Sequence, residues 1–460
     1  MRFDRNQSGP NEVFTKDGAP HEHYQPVMEE IQKMGSDEWD RRTNAAHEQL
    51  LEEQYGFDIV DGDKTHPIDY LPRVIPASDW EKLERGTAQR MRAINEFLRR
   101  LEAGNEEIVP QEVMDSSTLY NPELPTRFGE VSARHAGFDV VALEGDGGWN
   151  YVFIEDNIKM PVGLVPMSRM RARTAEVLPD SYSKLGVRPL DGMLERLGDA
   201  LRAASSETEA TLAILTDGSS DQYYLDHNIL AKETGAILAE RHELEIDEGY
   251  LFHKPTGQRL DVTYERIEEG RIYDAFPDLM QSHADGKVRA IFPPNADAAD
   301  DKGVYPFIPD MIRTYLGEEP VIDNAQTYSL AVEDDYRYVM DHFDELVIKS
   351  RAGWGGKDVL IAPDESKKDI EEFRKQVEKD PVQYIAQTIL DFSTNVFCST
   401  EEDKFVLRDS YADYRMHALS PDLDTVEVVP GVLTRVAGVG SRLVNISSGG
   451  GMKDTWVLER

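Results

Sequence analysis

The chain has a single cysteine, Cys398, in 460 residues, so it can form no internal disulfide. Its sparing use of thiols fits a reducing compartment, the cytoplasm. No run of 18 apolar residues is available to cross a bilayer as a helix. The opening stretch MRFDRNQSGPNEVF lacks the apolar segment of a secretory signal. Basic residues are scarce: 50 Lys and Arg against 87 Asp and Glu leave a formal net charge of −37. Such a surface offers no general footprint for nucleic acid or anionic lipid. The acidity is not gathered in a tail, because EEIQKMGSDEWD, ADAADD and STEED are spread along the chain. At molar salt the Debye length falls to about 3 Å. An evenly acidic surface therefore points to a halophilic archaeon and reports habitat, not substrate. Internal repeats, low-complexity linkers, a GxSxG motif, a P-loop and a Rossmann GxGxxG are all missing.

What is present is globular: 40% hydrophobic and 9% aromatic residues, enough for two or three domains. Helical spacing is expected over 25–54 and over 79–102, where Trp80, Leu83, Met91, Ile94, Phe97 and Leu98 recur behind Ser78 as N-cap. LPRVIP, with two prolines, reads as punctuation between them. FDVVAL and WNYVFIEDN flank the turn-rich EGDGG and predict a hairpin. From TLAILT through GAILAE to RLDVTYERI, strand and helix patterns alternate, as in a small open α/β domain. A helix over 302–316, the strands ELVIKS and VLIAP, a helix over 365–377 and the strand QYIAQTIL follow. The fold class is mixed α/β. Four regions are expected: a helical N-terminal region (1–130), a segment carrying the hairpin (131–205), the small α/β domain (206–298) and a region with a glycine-rich flap (299–460).

LVIKS-RAGWGGKD-VLIAP carries the strongest chemical signal. Lys349 ends a strand, and a glycine-rich turn leads to the next, a flap that can fold over nucleotide phosphates. For the glycines alone, an ordinary hairpin with glycines at positive φ is the better reading. Lys302, 47 residues earlier, supplies a second cation able to clamp a triphosphate. On the hairpin, Glu155 and Asn157 lie two apart on one strand and so share a face, where Asp139 of the partner strand could meet them. Three hard oxygen ligands suit Mg²⁺. An acidic exposed strand is the plain alternative, but its apolar flanks argue against a solvated face. Cys398 reads as a small semi-buried residue and His227 as a structural one within a helical pattern.

These stretches, with YLPRVIPASDWEKLERGTAQRMRAINEFL, HAGFDVV, DDKGVYPFIPDMIRTYLGEEP, YIAQ and GVLTRVAG, carry a resemblance over nearly the whole chain. The sequence resembles the circularly permuted ATP-grasp family, related to the ligase half of glutathionylspermidine synthetase. The metal-binding strand precedes the flap, which is the permuted order. The resemblance implies that Asp139, Glu155 and Asn157 hold Mg²⁺ and that Lys302 and Lys349 bind ATP. It further implies that Gly353, Gly355 and Gly356 form the phosphate flap and that the segment with Gln387 reads the adenine. Arg415 and Lys453 match recurrent basic positions and are expected to contact phosphate or carboxylate. Lys159 and Val162 stand where relatives carry Arg and Ser, and Ala142 and Leu143 stand where they carry an Arg. The activity so implied is ATP-dependent ligation of a carboxylate to an amine through an acyl phosphate. A silent nucleotide-binding subunit or a kinase is the alternative. Relatives often occur beside an all-helical partner, so a separate partner chain is expected.

Overall fold

The computed structural model describes residues 2–4, 9–53, 68–124, 131–267, 277–293, 295–353, 358–401, 404–438, 441–444 and 450–460. A nine-stranded sheet forms the centre. Its order is Asp323–Asn324, Gly148–Asn157, His135–Gly145, Lys404–Leu419, Glu427–Val436, Gly451–Val457 and Ile68–Ile75. Arg2–Asp4 and Thr394–Glu401 both pair with the first half of Lys404–Leu419. Five of these strands are named below by their key residues: the Asp139 strand (His135–Gly145), the Glu155 strand (Gly148–Asn157), the Arg415 strand (Lys404–Leu419), the Arg435 strand (Glu427–Val436) and the Lys453 strand (Gly451–Val457).

The expected hairpin forms between the Asp139 and Glu155 strands, with Gly147 at φ 92° supplying the backward turn. The helix Ala77–Glu102 packs on the sheet through Trp80, Leu83, Met91, Ile94, Phe97 and Leu98, all fully buried. Each such side chain contributes about 1.5–3 kcal/mol on leaving water. Its N-cap is Pro76 and not Ser78, which lies within the first turn. The stretch 25–54 is not one helix. It divides into Gln25–Met34 and Ser36–Glu52 at Gly35, whose φ of 79° breaks the helix. LPRVI is part of the edge strand Ile68–Ile75, paired parallel with the Lys453 strand, and only the second proline, Pro76, marks the break before the helix. A register shift between Asp69 and Arg73 accommodates Pro72, which has no N–H for the ladder. The N-terminal region thus donates strands as well as helices.

Three smaller sheets surround the centre. Arg289–Ala290, Val262–Arg266, Leu212–Thr216 and Ile237–Glu240 run parallel, as the alternating pattern predicted. Thr327–Ser329, Tyr384–Thr388, Leu346–Ser350 and Val359–Ile361 form an antiparallel sheet. Leu244–Asp247, Tyr250–His253 and Gln258–Leu260 form the third. The stretch 302–316 winds through short turns of three pitches, with Pro306 and Pro309 at their starts. Lys367–Lys379 is a regular helix capped by Ser366, whose hydroxyl accepts from the Asp369 amide at 3.3 Å.

Candidate functional site

Asp139 and Glu155 face each other across paired strands. The register slips by one residue directly afterwards, Val140 opposing Phe153, which leaves Ile154 as an extra residue. That bulge decides which side chains reach the site. Phe153 and Asp156 turn to the helix Ala77–Glu102, where Arg90 lies over the Phe153 ring at 4.5 Å and grips Asp156 at 2.6 and 2.7 Å. Glu155 and Asn157 turn the other way, toward the antiparallel sheet.

There Lys302 Nζ lies 3.1 Å from Glu155 Oε1 and donates to the Gly353 carbonyl at 2.6 Å. Lys349 Nζ donates to Gln387 Oε1 at 2.6 Å, and Gln387 Nε2 donates to the Ile154 carbonyl at 3.3 Å. Glu155, Lys302, Lys349, Gln387, Asp300 and Tyr305 line one cavity. Burial alone would favour the neutral Glu155 acid, but Lys302, Lys349 and Arg415 together outweigh it and hold the carboxyl below its usual range. Burial, with Lys302 as a like charge, pulls the Lys349 ammonium below the usual lysine range, and Glu155 opposes them. A lysine so placed gains most when an anion enters.

Asp139 is fully buried and bound by two guanidiniums. Arg415 donates through Nε and Nη2, both at 2.8 Å, and Arg435 reaches it at 2.6 Å while also holding Asp413. Burial opposes ionisation, yet the two arginines hold the carboxyl well below the usual range. Asn157 Nδ2 approaches Asp139 Oδ2 at 3.4 Å, which brings the third residue of the set to the same face. Asp139, Glu155 and the Asn157 carbonyl are hard oxygen donors on one face, a set that fits Mg²⁺ completed by phosphate oxygens. Asp139 meets two cations already, so Glu155 and Asn157 are the less encumbered donors.

The remaining residues fall in different places. Gly353 lies beside Lys302. Gly355 and Gly356 lie outside the described residues. Lys453 does not join the site. It pairs with Thr434, which pairs with Tyr414, and so points to the sheet face opposite Arg415 and Arg435. Its buried ammonium meets Asp69 at 2.9 Å, Asn395 Oδ1 at 2.9 Å and the Val396 carbonyl. This corrects the expectation of a substrate contact, because the side-chain period of two puts residue 453 on the wrong face. His227 is buried and bonded to the Thr216 hydroxyl at 2.9 Å. Cys398 is buried, which pushes its thiol up. Arg435 was not singled out from the sequence; its signal was the arginine in GVLTRVAG, with no local feature to aim it at Asp139.

Comparison with known proteins places the chain in a family. The sequence profile of the circularly permuted ATP-grasp type 2 family matches residues 72–437. An uncharacterized protein of Synechocystis is 30% identical, covering 98% of this chain and 97% of that protein. An uncharacterized protein of Mycobacterium tuberculosis is 31% identical over 97% of this chain and 84% of its own length. A Frankia alni protein, provisionally named glutamate–cysteine ligase 2-3, is 33% identical over 98% of this chain, which spans only 54% of it. These organisms give no support to a halophilic archaeal origin. Among solved structures, a glutathione synthetase-like effector from Globodera pallida superposes with a TM-score of 0.58 at 11% identity, covering 91% of this chain and 96% of that one. That likeness concerns the fold. Among the described residues no helix is long and apolar enough to cross a membrane. With a profile match over most of its length and relatives of 30% identity or more spanning it, the chain belongs to the circularly permuted ATP-grasp type 2 family.

Proposed function

We propose that the protein is an ATP-dependent ligase that joins a carboxylate to an amine through an acyl phosphate. One observation carries this reading. Two lysines from separate elements meet beside Glu155 and Gln387, in a cavity between the central and antiparallel sheets. Lys302 and Lys349 take the triphosphate, exchanging their Gly353 and Gln387 partners for phosphate oxygens. The polypeptide of Tyr384–Thr388 borders the adenine. Glu155, Asn157 and Asp139 would hold Mg²⁺, which adds positive charge at the phosphoryl oxygens.

A carboxylate attacking the γ-phosphorus breaks the bond to the β-phosphate oxygen and leaves ADP. The cations at the cavity offset the negative charge on the equatorial oxygens. The amine then adds to the acyl phosphate carbon, expelling inorganic phosphate and losing a proton to give the amide. Arg415 and Arg435, each about one-eighth exposed, add positive charge around Asp139 on the metal-site face. This reading includes an all-helical partner chain as part of the working unit. The test is ADP and phosphate release over a panel of amino acids, amines and short peptides, with product mass. Mass equal to acid plus amine minus water is expected. A phosphorylated product would make it a kinase, and nucleotide binding without turnover on any pair a silent subunit.

A further inference from the structure

Four of the most deeply buried arginines are matched with carboxylates, while Arg134 donates to backbone carbonyls. Arg73 holds Glu12, Arg90 holds Asp156, Arg171 holds Asp454 and Arg351 holds Asp301, all at 4% exposure or less. Arg266 is equally buried, at 4%, and has none among the described residues. Its Nη1 donates to the Pro161 carbonyl at 3.2 Å and to the Tyr264 hydroxyl at 3.3 Å. Its Nε has no partner. An unpaired buried guanidinium is costly, and a fold keeps one where a ligand completes it.

The surroundings are built for an anion. Tyr264 bonds His135 at 2.8 Å, and His135 bonds His417 at 3.1 Å, leaving the buried His417 Nε2 without a partner. Burial, reinforced by Arg415 and Arg266, pulls His417 down to about 3, so these rings stay neutral beside the guanidinium. Burial raises the Tyr223 hydroxyl, the charges of Arg266 and Arg415 oppose that rise, and Asp226 and Asp221 add to it. Neither acid lies within ion-pair distance of Arg266. Arg266 also ends the strand Val262–Arg266 in a parallel sheet, the end where open α/β sheets take their ligands.

We propose that Arg266 is a substrate anchor, receiving a carboxylate of an amino-acid-like or dicarboxylic substrate other than the carboxylate that is activated. This rests on the ligase reading. The phosphate cavity does not include Arg266, but Pro161, whose carbonyl Arg266 holds, packs at Gly137 beside the Arg415 side chain of the metal-site face. A substrate spanning both places therefore carries one anionic group for activation and a second for Arg266. The Nε and the unshared face of the guanidinium offer the paired donors that a carboxylate accepts.

The experiment uses glutarate as probe, with thermal melting of the full chain against sodium chloride at equal ionic strength. Wild type should be stabilised by glutarate beyond chloride. In Arg266→Met the half-effect concentration should rise about tenfold or more, the loss of a charge-assisted pair. Arg266→Lys should fall between the two. Without glutarate, Arg266→Met should melt no lower than wild type, because an unpaired buried charge has been removed. A lower melting temperature with an unchanged glutarate response would make Arg266 a structural residue and overturn the proposal. So would a wild type that glutarate does not stabilise. Calorimetry with Mg·ADP separates the two readings: Arg266→Met binds it as wild type does, and only failure of wild type to bind it sinks the ligase assignment.

Discussion

Replacing Lys349 by Met should separate nucleotide binding from folding. The ammonium is withdrawn from water and held by one protein acceptor, Gln387 Oε1 at 2.6 Å. Burial lowers its proton affinity, so below the folded-state pKa the unfolded chain accommodates the charge better than the folded one. Removing the charge relieves that penalty. The same change removes a charge-assisted hydrogen bond of about 1.5–3 kcal/mol and leaves the buried Gln387 oxygen unpaired. The two effects oppose, so the melting temperature should move by only a few degrees. Lys349→Met/Gln387→Leu, which deletes both partners, should lie closer still to wild type. Affinity for Mg·ATP has no such compensation. Loss of one lysine–phosphate contact of about 1.5–3 kcal/mol weakens binding about 10–100-fold. Titration calorimetry with Mg·ATP, run beside thermal melts of all three proteins, gives both numbers. Equal nucleotide affinity in wild type and the single variant would remove Lys349 from the site. A fall in melting temperature beyond about 10 °C in the double variant would mean that the pair is structural.

Lys453→Met should do the reverse, leaving Asp69 buried without its cation and costing about 3–5 kcal/mol in urea unfolding. Lys453→Met/Asp69→Asn should recover part of it, and Mg·ADP affinity should be intact in whatever remains folded. Glu265, buried on the small parallel sheet, is raised to about 7 by burial. Its folded pKa exceeds the unfolded one, so its favourable contribution is present below about pH 4.3 and lost as pH rises through about 7. Glu265→Gln should therefore melt higher than wild type at pH 8 and no higher at pH 4, by calorimetric scans at both. The charge of −37 should make the melting temperature climb between 50 mM and 2 M KCl, as counter-ions screen self-repulsion. An unchanged circular dichroism melt across that range would show that the acidic groups are locally paired.

Much of the candidate site is local and therefore visible in one strand's worth of residues. Glu155 and Asn157 share a face because side chains alternate. Lys349 reaches the cavity because it ends a strand beside a turn, and the parallel small sheet follows from alternating strand and helix patterns. Tertiary structure decided the rest, for reasons no window of sequence contains. The bulge at Ile154 reverses the strand's faces, sending Asp156 to Arg90 and Glu155 to Lys302. Pro72 enters an edge strand because a parallel neighbour tolerates a register shift there. Lys453 and Arg435 looked alike as basic residues near the C-terminus. One residue of register on adjacent strands places the first against Asp69 and the second on Asp139. Composition and motif order determined the family and the absence of an internal disulfide, and pointed to Lys302 and Lys349 as the candidate ATP lysines. Which cations the acids meet, and that Arg266 meets no carboxylate among the described residues, was set by pairing across more than a hundred residues, where loop closure and packing choose the partner.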